Sequence, residues 1–196
     1  MPIASDDALS LLFTDARTHN GWADRPVDDA TLRRIYELAR MAPTAANSQP
    51  LRVVFVKSAE GKERLLTAVS PGNVDKTRKA PVTAIIAYEV DFHEKLPRLF
   101  TAYDLRSALA AMPAEARTQM AIQNSSIQGG YFILAARALG LDCGPMGGFD
   151  KAKLDAEFFP DGAWKSNFLV NLGYGDPSAL YPRGARLDTD EATRFA

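Results

Sequence analysis

The apolar positions along the chain follow two periods. Behind Pro26-Val27-Asp28-Asp29, residues Leu32, Ile35, Tyr36 and Ala39 recur at helical spacing, with Asp28 or Asp29 as N-cap candidates and Pro43 as the stop. Residues 9–13 form a shorter apolar helix candidate, and residues 60–69 and 150–158 read as further helices. Continuous apolar runs at residues 53–56, 82–88 and 168–172 predict buried strands. Ser70-Pro71-Gly72-Asn73 reads as a turn. Residues 91–118 contain Pro97 and Pro113 and mix apolar with charged positions, the pattern of an excursion or lid.

The longest helical pattern covers residues 120–139 and is apolar on more than one face, through Ile122, Ile127, Tyr131, Phe132, Ile133, Leu134 and Leu139. Such a helix is buried, in the core or at a subunit interface. Gly129 and Gly130 within it each cost about 1 kcal/mol relative to Ala, a cost that close backbone approach would offset. Helices outnumber strands, which predicts an α+β fold with a mixed α/β sheet. The length of 196 residues predicts one domain, residues 1–196.

Charge narrows the function classes. Lys plus Arg is 23 and Asp plus Glu is 24, for a net charge of -1. Without a global excess of basic charge, nucleic acid is excluded as the main partner. The single cysteine, Cys143, forms no intrachain disulfide, which suits a reducing compartment. Residues 1–8 carry two aspartates and no apolar core, and the longest apolar candidate, residues 131–141, is interrupted by Arg137. A cytoplasmic protein with no membrane partner is expected.

Several catalytic constellations are missing. There is no Walker A motif, no HExxH and no Gly-x-Ser-x-Gly elbow, and His19 and His93 are too few for most zinc sites, so no metal is expected. Gly173-Tyr174-Gly175 follows a strand but runs into Asp176-Pro177, which reads as a turn. Gly144-Pro145-Met146-Gly147-Gly148 follows a helix and fails the same test. What remains is Arg17-Thr18-His19-Asn20, residues 44–49, Gly72-Asn73, residues 144–148, and the pair Arg183 and Arg186. Arginine holds phosphate by forked hydrogen bonds. Asn and Gln offer both a donor and an acceptor to the edge of a heteroaromatic ring. Glycine lets backbone N–H groups approach a flat ligand. Together these segments can build a flavin or nucleotide site; each alone also fits a solvated charge, a turn or a connector.

At these positions the chain resembles the flavin-dependent nitroreductase family. Members show Arg-Ser-x-Arg-x-Phe near the N-terminus, and this chain has Arg17-Thr18-His19-Asn20-Gly21-Trp22 followed by Pro26-Val27. They show Ala-Pro-Ser-x-x-Asn-x-Gln-Pro-Trp, against Ala42-Pro43-Thr44-Ala45-Ala46-Asn47-Ser48-Gln49-Pro50-Leu51. A Gly-Asn pair matches Gly72-Asn73, and Ala-Leu-Gly-Leu-x-x-x-Pro followed by Gly-Phe-Asp matches residues 138–145 and Gly148-Phe149-Asp150. Residues 12–22, 59–65, 80–85, 144–150 and 171–176 are similar to one subgroup, the RutE- and HadB-like malonic semialdehyde reductases of pyrimidine breakdown. Three positions depart from the pattern: Asn20 stands where a cation is usual, Gly147 where some members carry Glu, and Leu51 where members carry Trp.

The resemblance implies a central mixed, mostly antiparallel sheet flanked by helices, FMN as cofactor, NADPH or NADH as electron donor, and a domain-swapped homodimer with two shared sites. It implies that Arg17, Thr18, His19 and Asn20 meet the FMN phosphate and ribityl chain, with Arg183 and Arg186 completing the phosphate pocket. Asn73 would face the polar ring edge, and Pro145, Met146, Gly147 and Gly148 would lie along the isoalloxazine. Pro43, Thr44, Ala45 and Asn47 would reach the flavin of the other subunit. The hydride passes through flavin N5, so no side chain is assigned as catalytic. The expected proton source is water or the 91–118 excursion, with His93 and Tyr103 as candidates. The implied reaction is reduction of 3-oxopropanoate to 3-hydroxypropanoate. The alternatives are a general nitro or quinone reductase and a flavin-sequestering dimer.

Overall fold

The computed structural model describes residues 2–196. Four strands form one sheet in the order β1-β2-β4-β3: β1 (Leu51–Val56), β2 (Val82–Glu89), β3 (Asp142–Met146) and β4 (Trp164–Gly173). Every strand pair is antiparallel. The one parallel element among the described residues is an isolated bridge between Thr18 and Cys143. Central strand β2 is buried on both faces, which is why it reads as an unbroken apolar run. Its side chains alternate: Val82, Ala84 and Ile86 face one core, while Ile85 and Ala87 face the other.

Helices cover both faces. In chain order they are α1 (Asp6–Leu9), α2 (Asp29–Ala39), α3 (Ala59–Leu66), α4 (Pro71–Lys79), α5 (Leu96–Leu99), α6 (Leu105–Ala110), α7 (Ala114–Ala138), α8 (Lys151–Phe158) and α9 (Thr189–Ala192). One core holds Leu32 and Ile35 of α2 with Phe132, Ala135 and Ala136 of α7. The other holds Leu65 and Leu66 of α3 with Leu154 of α8. A third cluster, with Phe92, Leu96 and Leu109, gives the 91–118 excursion its own packing against Ala121 of α7. The excursion is therefore structured, made of one short 3-10 turn, α5, α6 and the first turn of α7.

The caps follow their expected chemistry. The Asp28 side chain accepts from the Thr31 N–H at 2.7 Å and starts α2, and that bond holds its carboxyl below the usual range. Asp150 does the same for α8, accepting from Lys153 N–H at 3.0 Å. Close approach explains Gly129: a Cβ there would lie 2.5 Å from the Phe168 ring of β4.

Four expectations change. Residues 70–73 are not a free turn, because Ser70 is the N-cap and Pro71 the first residue of α4, where a missing N–H costs nothing. Residues 142–146 are strand β3, not only a Gly-rich connector. Pro145 is tolerated there because β3 is an edge strand. Helix α7 begins six residues earlier than the apolar pattern, directly after Pro113. Its burial is one-sided: Ala121, Gln128 and Phe132 are buried, while Ile127 and Tyr131 are exposed at 40% and 43%.

Candidate functional site

Residues 15–22 run as an extended strap over the end of β3. The His19 N–H donates to the Cys143 carbonyl at 3.0 Å, and Trp22 bridges Gly175. Successive side chains of an extended segment point to opposite sides. Thr18 and Asn20 accordingly line an open cleft, while His19 between them turns inward and is 7% exposed. His19 packs so tightly on Gly175 that a Cβ on that glycine would lie 2.0 Å from the imidazole. Its Nδ1 stands 3.3 Å from Asp142 Oδ1, a charge-pair separation without the alignment of a hydrogen bond. The other Asp142 oxygen accepts from the Gly175 N–H at 2.9 Å.

The cleft has a volume of about 700 Å³. Its walls are Phe13 to Thr14, Ala16 to Thr18, Asn20, Arg137 and the tail residues Tyr181 to Gly184 and Arg186. Four guanidiniums and no carboxylate line it. Arg17 donates to the Tyr181 carbonyl, and Arg183 donates to the Ala16 carbonyl at 3.3 Å. These two bonds tie the tail to the strap. Arg186 donates to the Gly184 and Ala185 carbonyls at 2.9 and 3.0 Å. Arg137 reaches in from α7, donating to the Leu12 carbonyl at 3.0 Å while its buried Nε has no partner. Each guanidinium offers five N–H donors, so donors remain for a ligand.

A second group of expected residues meets at the far end of β3. Asn73 Nδ2 donates to the Gly148 carbonyl at 2.9 Å, and the Ser70 N–H donates to that same oxygen at 3.0 Å. Pro145 is half-buried and Met146 buried, with the Thr77 hydroxyl 3.7 Å from its sulfur. Gly147 is exposed, and a Cβ there would meet nothing within 4 Å. Cys143, at the strap end of β3, is fully buried, its thiol pushed up to about 12 by desolvation and so inert as a nucleophile.

The third group, Pro43, Thr44, Ala45 and Asn47, stands on a different support. Their loop contains three residues with left-handed backbone, Ala46 (φ 52°), Asn47 (φ 51°) and Gln49 (φ 43°). Each such non-glycine residue costs on the order of 1–3 kcal/mol and persists only where the surroundings over-determine it. Here the Asn124 carbonyl oxygen accepts from the Ala45 N–H at 2.7 Å, and Asn47 Nδ2 donates to the Leu99 carbonyl at 2.9 Å. No hydrogen bond among the described residues joins this loop to the cleft or to residues 145–148.

The structure thus brings Arg17, Thr18, Asn20, Arg183 and Arg186 into one cleft and joins Asn73 to Gly148. It sets His19 behind the strap and leaves the 43–47 loop apart. Arg137 was missed because, within an apolar helical run, it reads as an interruption. The proton candidates differ in access: His93 is 5% exposed with Nε2 3.5 Å from Glu94, whereas Tyr103 is 65% exposed.

The nitroreductase family pattern matches residues 15–174. A Rhodopseudomonas palustris protein named "Putative NADH dehydrogenase/NAD(P)H nitroreductase" is 58% identical over 189 residues, covering 96% of each chain. A Ralstonia nicotianae protein with the same descriptive name is 56% identical over 194 residues, covering 99% of each. Among solved structures, a "putative nitroreductase in complex with FMN" from Exiguobacterium sibiricum superposes with a TM-score of 0.86 at 20% identity, covering 100% of both chains. An enone reductase of gut-bacterial fatty acid saturation superposes with a TM-score of 0.84 at 19% identity, covering 98% of this chain and 99% of that one. These likenesses fix the fold: a mixed α+β fold with an antiparallel four-strand sheet flanked by helices.

Proposed function

This chain belongs to the nitroreductase family, and from that premise we propose that it is an FMN-dependent oxidoreductase drawing electrons from NADPH or NADH. The observation that carries this reading is the cleft with four arginines, no carboxylate and an unpartnered buried guanidinium nitrogen on Arg137. A phosphate monoester suits that donor set. Arg17, Arg137, Arg183 and Arg186 would hold the phosphate. Thr18 and Asn20 would hold the sugar-alcohol chain, and residues 145–148 with Asn73 would hold the ring system at the other end of β3. The NAD(P)H-named relatives and the FMN-bound neighbour support the electron donor and the cofactor.

Bound FMN supplies two-electron transfer between nicotinamide and acceptor. The chain's own contribution is position and shielding. Gly147 leaves open space where a side chain would stand. It also carries no acid, so its backbone N–H can polarise an acceptor oxygen but cannot supply a net proton. With His93 buried, the proton comes from water or from the exposed Tyr103.

The second copy of the chain is the partner we assign. Ile127 and Tyr131 of α7 and Leu9, Leu11 and Phe13 near the N-terminus are exposed apolar residues. Large exposed apolar patches are uncommon on monomers. A second copy covering them would bring a foreign 43–47 loop to each site. The acceptor we favour is 3-oxopropanoate, on the subgroup motifs at residues 12–22 and 144–150. The names of the relatives favour a second reading, a general nitro compound reductase. The test is anaerobic: purified protein should carry FMN, and NADPH or NADH should bleach it. Reoxidation by 3-oxopropanoate at least about 10-fold faster than by a nitroarene supports the first acceptor; the reverse ratio supports the second. Protein that binds no flavin overturns both.

A further inference from the structure

The long helix α7 carries two amides on one face, Asn124 and Gln128, four residues apart and 3% and 1% exposed. Asn124 points at the 43–50 loop and Gln128 at its junction with β1. Asn124 accepts from the Ala45 N–H at 2.7 Å, and Gln128 Oε1 accepts from the Leu51 N–H at 3.0 Å. They grip the chain on either side of the three left-handed residues Ala46, Asn47 and Gln49. Asn124 is itself oriented, because its Nδ2 donates to the Met120 carbonyl one turn back at 2.8 Å, which leaves its oxygen facing the loop.

A buried amide costs free energy unless it is hydrogen-bonded, and apolar residues at 124 and 128 would pack a helix face more simply. We propose that Asn124 and Gln128 are positioning residues which hold the 43–50 loop in its left-handed conformation, and through it Thr44, Ala45 and Asn47 against the cofactor. The role toward the cofactor rests on the FMN and second-copy readings above; the grip on the loop does not. Between the clamps, Ala45 and Asn47 stay exposed, available to a ligand. Asn47 adds an internal brace, its Oδ1 accepting from Gln49 Nε2 at 2.8 Å. Neither clamp touches a reacting group, so their effect is on geometry and not on chemistry.

The experiment compares Asn124→Leu, Gln128→Met and the conservative Gln128→Glu, which keeps an acceptor oxygen. Two readouts are taken: amide hydrogen exchange at Ala45 and Leu51 in the flavin-free protein, and FMN affinity by fluorescence titration. The expected result is loss of protection confined to residues 44–51 in Asn124→Leu and Gln128→Met. FMN affinity should fall about 10-fold, with both readouts restored by Gln128→Glu. Should Gln128→Met fail to fold, Asn124→Ser shortens the acceptor and is read in the same way. Unchanged exchange at Ala45 and Leu51 overturns the clamp. Lost protection with FMN affinity within about 2-fold of wild type overturns the role toward the cofactor. Wild-type protein that binds no FMN overturns the cofactor reading and the role toward the cofactor together, and leaves the exchange result to decide the clamp.

Discussion

Two cationic regions of this molecule use their hydrogen bonds in opposite ways. Lys62 of α3 is buried, and its three donors are matched one to one: the Thr77 and Ala80 carbonyls, each at 2.8 Å, and the Thr83 hydroxyl at 2.9 Å. Thr83 in turn donates to Asn171 Oδ1 at 2.7 Å, and Asn171 Nδ2 donates to the Thr77 hydroxyl at 3.3 Å. This closed network ties α3, the end of α4 and the two central strands together. The arginine cleft is open, its guanidiniums bonded only in part and to backbone carbonyls, with Arg137 Nε unpaired. A saturated buried cation is structural, whereas guanidiniums with donors to spare around an open cleft suit an anion.

The largest separation between the two should come from Lys62→Met. It leaves two buried carbonyls and a hydroxyl without a donor, at about 1–3 kcal/mol for each unsatisfied group, partly offset by losing a buried charge. A net loss of about 3 kcal/mol is expected, seen as a Tm about 6–12 °C lower, with FMN affinity within about 3-fold. The arginines should behave in reverse. Arg17→Ala and Arg186→Ala each remove a charged hydrogen bond worth about 1.5–3 kcal/mol. Titration should show FMN bound about 10- to 150-fold more weakly, and urea unfolding of the flavin-free protein should stay within about 0.5 kcal/mol of wild type.

Burial pushes the Lys62 ammonium down to about 8 from its ordinary 10.5. Between those values the unfolded chain binds more protons than the folded one, so stability rises with pH across that window and is flat below it. The Cys143 thiol and the Tyr88 hydroxyl, both raised by burial, act in the opposite direction toward pH 10, so the Lys62 contribution is read by difference: from pH 7.5 to 10, urea unfolding should show wild type gaining about 2 kcal/mol relative to Lys62→Met. The smallest effect is assigned to His19→Gln. With its ring behind the strap and not in the cleft, stability should fall by about 1 kcal/mol and FMN affinity should change less than in either arginine variant.

Much of this arrangement is legible in the chain where local chemistry and position agree. Asp28 and the β2 run act as their patterns foretell, because a cap is decided by near neighbours and a doubly buried strand by its unbroken apolar run. Arg17, Arg183 and Arg186 line one cleft, although more than 160 residues separate the strap from the tail. The failures are equally specific. Periodicity marks the apolar face of α7 and treats Asn124, Gln128 and Arg137 as blemishes, yet these polar residues reach the loop and the cleft. Alternation along the strap separates His19 from Thr18 and Asn20, which no motif match distinguishes. Edge pairing with β4 makes a strand of Gly144 and Pro145, residues whose local preference is for turns. The proposed second copy has no signature in the sequence beyond apolar positions, such as Ile127 and Tyr131, that the structure leaves exposed.

The proposed role of the arginine cleft is to recognise a flavin through its phosphate. Its most direct test is a paired equilibrium titration of the flavin-free protein with FMN and with riboflavin, which differ by that phosphate alone. FMN should bind at least about 100-fold more tightly than riboflavin. The double variant Arg17→Ala, Arg186→Ala should bring the two affinities to within about 5-fold by weakening FMN only. Riboflavin bound as tightly as FMN by wild type, or a preference for FMN that survives in the double variant, would contradict the account.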